Sequence, residues 1–379
     1  MPLFDLHFEE EEKQAVLKVL DSKWISSGSR TLEFEKRFAD MVGSNYAVAV
    51  NSGTAALHLA VLALGIGPED EVIVPSLTFS ATANAIYYTG AKPVFADIIS
   101  KEDLTISPEA IRNSITERTK ALMVVHYGGY ACNMEEICTI AREHNLFVIE
   151  DAAHAAGAVH HGRSLGTYGE AGAFSFFSNK NITTAEGGML VTNNKVLAES
   201  ARLLRSHGMT SSSYDRAQGH ATKYDIIQVG YNYRLDDIRA SIGLVQLGRL
   251  TDDLARRRIL VAKYRELLEG VKEVTVPFNH KIEGASNYIF PIVLNEKCKM
   301  DRDEFRSCLE NEYGIQTSVH YPAVHHFTHY KDTKISLPET DYVSDHEVTL
   351  PLYYNLTEKD VIYVCQSIIK IFEEQRDRK

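Results

Sequence analysis

Short apolar runs alternate with helical stretches through the first half of the chain. Tyr46–Val50, Glu71–Val74, Pro93–Ala96, Ala121–Val125 and Leu146–Ile149 read as strands. Between them Thr54–Leu64, Ser80–Thr89, Pro108–Ile115 and Met134–His144 read as helices. This β-α-β-α rhythm predicts an α/β fold with a mainly parallel sheet covered by helices on both faces. Two helices precede it, over residues 9–20 and Thr31–Met41, with Val16, Val19, Leu32, Phe34 and Phe38 among their apolar positions. Two more strands, Gly172–Phe177 and Gly188–Thr192, flank a loop rich in Ser, Asn and Gly.

The pattern then changes. Lys195–Arg205 is helical, and the polar stretch Thr210–Asp225 reads as a long surface loop. A helix from Asp236 to about Glu269 is long enough to bridge two domains. Beyond Val274, strands at Tyr288–Val293 and Ile315–Val319 mix with helices at Arg302–Glu312 and Lys359–Arg376. A chain of 379 residues is long for one core. The expected division is therefore a large domain over residues 1–250 and a smaller α+β domain over 251–379.

The net charge of −11 argues against a nucleic-acid-binding surface, which needs a basic stripe. No run of about 18 apolar residues predicts a membrane span, and the acidic start Met1–Glu12 lacks the features of a signal peptide. The five cysteines form no CxxC pair and read as reduced thiols in a cytoplasmic protein. His325 and His329 lie four apart without an acidic neighbour in ligand spacing, so no metal site is expected.

In open α/β sheets, ligands bind beyond the carboxyl ends of the strands. The candidate residues fall there. Asn51-Ser52-Gly53-Thr54-Ala55 is a small-residue turn opening a helix; its free N–H groups suit an anion, although a plain helix cap uses the same residues. Phe79 closes Pro75-Ser76-Leu77-Thr78-Phe79 and can stack on a flat heteroaromatic ring or serve as core. Asp151 stands in a small, apolar setting, where a carboxylate is costly unless paired. A helix cap or metal ligand is the plainer reading of that residue. Lys180 follows the apolar run Phe174–Phe177 and precedes Glu186-Gly187-Gly188. Desolvation there lowers its pKa toward the reactive neutral amine. An acid closing a buried strand, followed by a lysine in a small-residue loop, is what pyridoxal phosphate chemistry needs. The lysine forms the Schiff base, and the acid keeps the pyridine nitrogen protonated.

With these residues in view, the chain resembles the sugar aminotransferases of the DegT/DnrJ/EryC1/StrS family, fold-type I pyridoxal-phosphate enzymes. The resemblance runs through Trp24-Ile25-Ser26-Ser27-Gly28, Ser52-Gly53-Thr54-Ala55, Pro75–Phe79 and Glu150-Asp151-Ala152-Ala153-His154. The lysine loop, Gly230-Tyr231-Asn232-Tyr233-Arg234 and His320-Tyr321-Pro322 complete it. It implies a large domain with a mainly parallel seven-stranded sheet and a smaller C-terminal domain. Lys180 would carry the cofactor, Asp151 would pair with its pyridine nitrogen, Phe79 would stack on the ring, and His154 would approach the ring oxygen. Thr54, Ala55 and Ser175 would hold the phosphate. Asn232 would reach the phosphate of the neighbouring subunit, which implies a homodimer with shared sites. Ser27, Gly28, His320 and Tyr321 would approach the substrate.

The implied reaction is ping-pong transfer of an amino group from L-glutamate to a nucleotide-linked keto sugar, in particular the 4-keto position of a 6-deoxyhexose. A family branch that dehydrates sugars carries histidine in place of this lysine, so Lys180 favours amino transfer. Ala185 stands where the family usually has glycine, which bears on the loop's backbone geometry. Two other readings stay open: a same-fold enzyme acting on a cyclitol ketone or dehydrating a sugar, and a non-catalytic pyridoxal-phosphate-binding regulator.

Overall fold

The computed structural model describes residues 1–211, 214, 219, 223–331 and 335–377. Helices α1 (Glu10–Asp21) and α2 (Ser29–Val42) lead into β1 (Tyr46–Val50), α3 (Gly53–Ala63), β2 (Glu71–Pro75), α4 (Ala81–Tyr87) and β3 (Lys92–Ala96). A small hairpin, β4 (Ile98–Ser100) and β5 (Asp103–Ile106), precedes α5 (Pro108–Ser114), β6 (Thr119–Val125), α6 (Met134–His144) and β7 (Phe147–Asp151). A second hairpin, β8 (Val159–His160) and β9 (Arg163–Ser164), is followed by β10 (Ala171–Ser175), β11 (Gly188–Thr192) and α7 (Lys195–Arg205).

The central sheet has seven strands in the order β1-β11-β10-β7-β6-β2-β3. It is parallel from β10 through β3, and β11 runs antiparallel to both of its neighbours. β2 and the Ala121–Val125 stretch of β6 are buried throughout, as expected for strands covered on both faces. Ser52, Ser107, Asn133 and Asn194 each cap the helix that follows by accepting a first-turn N–H, which fixes where the strand-to-helix turns end.

The parallel strands deliver their carboxyl ends to one edge. β1 leads to Ser52–Thr54, β2 to Thr78 and Phe79, β6 ends at Val125, β7 at Asp151 and β10 at Ser175. Gly188 opens β11 opposite both Val50 and Ser175. A Cβ on Gly188 would lie 2.4 Å from the Ser52 backbone, so glycine permits the lysine loop's exit to press against the turn before α3.

The long helix α8 (Asp237–Leu268) then crosses to a three-stranded antiparallel sheet of β12 (Val274–Thr275), β13 (Phe290–Leu294) and β14 (Glu347–Leu350). Helices α9 (Arg302–Tyr313), α10 (Pro338–His346) and α11 (Glu358–Asp377) complete this part. A hydrophobic cluster from Leu260 to Phe372 packs beneath that sheet, apart from the clusters around the central sheet.

The strand expected at Tyr288–Val293 is Phe290–Leu294. Ile315–Val319 is not a strand: it makes one bridge, Ser318 with Thr349, and otherwise runs as irregular chain. Of the surface loop expected at Thr210–Asp225, residues 212–213, 215–218 and 220–222 lie outside the described residues.

The lysine loop contains a residue in an unfavourable backbone region. Ala185 has φ of 66°, in the left-handed region where a Cβ meets the carbonyl oxygen. Its N–H donates to Thr183 Oγ1 (3.1 Å), which holds the turn in place. Ala185→Gly should therefore stabilise the protein by about 0.5–1 kcal/mol, the relief exceeding glycine's extra unfolded-state freedom. Chemical denaturation of the two proteins measures the difference; an unchanged or lowered stability would show that Ala185 is not strained.

Candidate active site

A cavity of about 380 Å³ opens at the edge where the strands end. Thr54, Phe79, Asp151, His154, Ser175, Lys180, His320 and Tyr321 all line it. Eight residues expected from separate segments thus meet in one place. Ala55 is buried beside Thr54, and its N–H donates to Ser52 Oγ (3.1 Å).

Asp151, the last residue of β7, is buried with a defined pair of donors. Thr82 Oγ1 donates to its Oδ2 (2.8 Å), and the Ala153 N–H donates to Oδ1 (3.1 Å). Thr78 Oγ1 lies 2.8 Å from Thr82 Oγ1 and extends this chain. Burial pushes the carboxyl above its ordinary pKa, while Thr82, the Ala153 N–H and Lys180 pull it down. A cation placed against Asp151 would restore its charge.

Burial acts on Lys180 in the opposite direction. It lowers the amine to about 7, against the opposing pull of Asp151. The ammonium form lies over the Tyr288 ring, 4.1 Å from its centroid, which partly compensates for lost water. Tyr288 lines the cavity too and had no local motif to mark it: it precedes β13 by two residues, far along the chain from the lysine loop. Asn179 and Glu186 were likewise unread as site residues, though both belong to that loop.

Hydrogen bonding settles the state of His154. The Gly128 N–H donates to its Nδ1 (3.2 Å), so that nitrogen is bare and Nε2 carries the proton. Nε2 lies 3.0 Å from the Tyr321 hydroxyl, to which it donates. Burial and Lys180 hold the imidazole pKa well below its usual value, so the ring stays neutral. Phe79 is exposed at the mouth, its ring 5.9 Å from that of Tyr321.

Three expected residues lie elsewhere. The Ser27 carbonyl accepts from Trp24 Nε1 (3.3 Å), and the Gly28 N–H donates to Asp237 Oδ1 (2.8 Å). Asp237 also accepts from the Arg30 and Thr31 N–H groups, tying the start of α2 to α8. Asn232 is exposed, its carbonyl accepting from Asn51 Nδ2 (3.3 Å), and it is not among the residues lining its own chain's cavity. His325 does face an acid that local spacing hid: Asp341 Oδ1 lies 3.0 Å from His325 Nε2 and 2.8 Å from His326 Nε2. Ser76 Oγ, 2.7 Å from His325 Nδ1, closes that network.

Comparison with known proteins identifies the family. Residues 7–369 match the model of the DegT/DnrJ/EryC1/StrS aminotransferase family. The spore coat polysaccharide biosynthesis protein SpsC of Bacillus subtilis is 40% identical over 94% of this chain and 93% of its own length. The putative sugar aminotransferase Spr1654 of Streptococcus pneumoniae, solved in a PMP form, superposes with a TM-score of 0.90 at 29% identity, covering 99% of each chain. It has also been solved in a PLP form. DesI, solved in the presence of its TDP-sugar product, matches with a TM-score of 0.87 at 29% identity over 99% of this chain and 94% of its own.

The chain belongs to the DegT/DnrJ/EryC1/StrS aminotransferase family, and its cofactor is pyridoxal phosphate. The cavity fits that group: it offers a buried acid short of a cation, a desolvated amine, and a helix start lined by Gly53 and Thr54.

In cofactor-free protein, the Lys180 amine should titrate near about 7. Its neutral fraction, and so its acylation rate, should rise as pH increases through that value and level off above it. Asp151→Asn removes the charge that favours the ammonium, so the midpoint should fall. Peptide-resolved labelling across a pH series measures both; a midpoint near that of an ordinary lysine would show that the amine is not desolvated.

Proposed function

We propose that this aminotransferase moves an amino group from L-glutamate to a nucleotide-linked keto sugar, a 4-keto-6-deoxyhexose, in a homodimer with shared sites. The observation that carries the reading is the desolvated amine of Lys180 in one cavity with the buried carboxylate of Asp151. Among the described residues lining that cavity there is no arginine, and most of its polar side chains carry hydroxyls or imidazoles. Such a lining suits a sugar. DesI's TDP-sugar product and SpsC's place in polysaccharide biosynthesis support a nucleotide-linked one.

Pyridoxal phosphate supplies an electron sink for the carbanion that forms when a proton leaves the donor's α-carbon. The protein supplies the rest. Asp151, held by Thr82 and the Ala153 N–H, would set its carboxylate against the pyridine nitrogen. Lys180, partly neutral near its pKa of about 7, would hold the cofactor and, once released, carry the proton that leaves the donor's α-carbon. Phe79, at the mouth, would cover the ring, and His154 would lie beside its oxygen with its Nε2–H donated to the Tyr321 hydroxyl. Thr54 and Ser175 would meet the phosphate at the start of α3, where first-turn N–H groups favour an anion, with Ala55 buried behind them and its N–H donated to Ser52 Oγ. Ser27 and Gly28, on the segment before α2, belong to the substrate approach. The division near residue 250 falls within α8, which joins the two sets of hydrophobic clusters.

The shared site is supported by the position of Asn232 outside its own cavity. Ile226, Ile227 and Val229, exposed just before it, form an apolar patch that a second copy would bury.

Loaded enzyme should convert L-glutamate to 2-oxoglutarate in a single turnover, and the right keto sugar should then restore its starting absorbance. Lys180→Ala should abolish both steps. Catalytic amination by that variant would remove Lys180 from the mechanism, and a cyclitol ketone working where every keto sugar fails would favour the other substrate class.

The dimer has its own test. Lys180→Ala and Asn232→Ala protomers, each inactive or impaired alone, should form mixed dimers with one intact site. Random reassortment would restore about a quarter of the wild-type sites. Activity no greater than the average of the two parents would show that Asn232 does not serve the partner's site.

A further inference from the structure

His320 lines the cavity, but its polarity is determined behind it. The His320 N–H donates to Glu347 Oε2 (2.7 Å), and its carbonyl accepts from the Tyr127 hydroxyl. His320 Nδ1 lies 2.9 Å from Thr349 Oγ1, and Thr349 Oγ1 lies 2.5 Å from Glu347 Oε1. Glu347 and Thr349 sit on β14 with their side chains on the same side of the strand, and both are buried. The imidazole is therefore fixed in place, with Nε2 left for the cavity.

A hydroxyl has one proton to give. While Glu347 is charged it can only accept, so Thr349 donates to Glu347 and must receive a proton from His320 Nδ1. A neutral imidazole protonated at Nδ1 presents a bare, accepting Nε2. Burial and Lys180 lower the His320 pKa to about 3, so the ring is neutral and its tautomer is the variable. Beside it, the Tyr321 hydroxyl already accepts from His154, which leaves its own proton free to donate.

We propose that Glu347 and Thr349 are positioning residues that set the tautomer of His320, so that an accepting Nε2 and the donating Tyr321 hydroxyl together receive one hydroxyl of the sugar. This rests on the keto-sugar reading above and deepens it. A hydroxyl both donates and accepts, so it satisfies this pair; a carboxylate, which only accepts, does not.

Protonating Glu347 reverses the relay: the carboxyl donates to Thr349, Thr349 donates to His320 Nδ1, and Nε2 becomes a donor. Burial raises Glu347 to about 8, against Thr349, the His320 N–H, Arg302 and Arg306, which favour its charge. Tyr127 and Tyr321 are the other titratable groups that feel Glu347. The accepting state is thus present above that pH and lost as pH falls through it.

Nitrogen-15 NMR of histidine-labelled protein reads the tautomer directly. His320 should carry its proton on Nδ1 above about pH 8 and on Nε2 below it. Thr349→Val should make the tautomer independent of this step, and Thr349→Ser should keep it. With the keto sugar that restores the pyridoxal form, Thr349→Val should raise KM about tenfold while changing kcat less than about threefold. The wild-type rise in KM on acidification through this range should disappear in the valine variant and persist in the serine one. A wild-type ring that carries its proton on Nε2 at high pH, where Glu347 is charged, or a valine variant that keeps the wild-type tautomer and profile, overturns the proposal. If no keto sugar is aminated, the functional reading fails; the NMR titration needs no substrate and still decides whether Glu347 and Thr349 control His320.

Discussion

Burying an amine and an acid in one cavity without letting them neutralise each other is the constraint on which the site depends. Direct pairing of Lys180 with Asp151 would leave a stable ion pair and an unreactive ammonium. The fold avoids this by satisfying Asp151 from behind, with Thr82 and the Ala153 N–H, and by setting the amine over the face of Tyr288. A ring face stabilises a cation less than a carboxylate does, so desolvation wins and the amine falls to about 7. The acid keeps an unmet demand for a cation, which a pyridinium N–H can supply.

The sheet makes this separation possible. β7 carries Asp151, while Lys180 arrives on the connection between β10 and β11. Because β11 is antiparallel in an otherwise parallel sheet, that connection turns back over the same edge instead of crossing by a helix. Gly188 lets it press against the turn before α3, bringing lysine, acid and helix start together.

Much of this was legible in the sequence because the central strands are buried on both faces and read as apolar runs between capped helices. Asp151 and Lys180 stood out for a related reason: each is charged in an otherwise small or apolar setting. The C-terminal part was less legible. β14, Glu347-Val348-Thr349-Leu350, alternates polar and apolar residues as an exposed strand would, yet all four are buried. Its glutamate and threonine are accommodated by His320, a tertiary contact with no local mark. Ile315–Val319 has strand-like composition, but its pairing with β14 ends after one bridge at Ser318, and the chain turns away to bring His320 to the cavity. Tyr288 was hidden for the same reason: its role lies in a contact with a loop more than a hundred residues upstream.

The cavity's imidazoles show how a charged protein can present a neutral surface to a polyol. His154 and His320 are neutral for the same reason: burial removes water from each ring, and Lys180 beside them opposes a second positive charge. Each therefore acts through the location of its proton, not through charge. Location is set by fixed partners: Gly128 for His154, and the Thr349–Glu347 pair for His320. A hydroxyl-rich substrate is best distinguished by such donor and acceptor patterns, since a misplaced donor leaves a buried group unpaired and costs more than a correct contact gains. Lys180 can then remain the reactive amine, because recognition of the sugar does not have to be built from a second cation beside it.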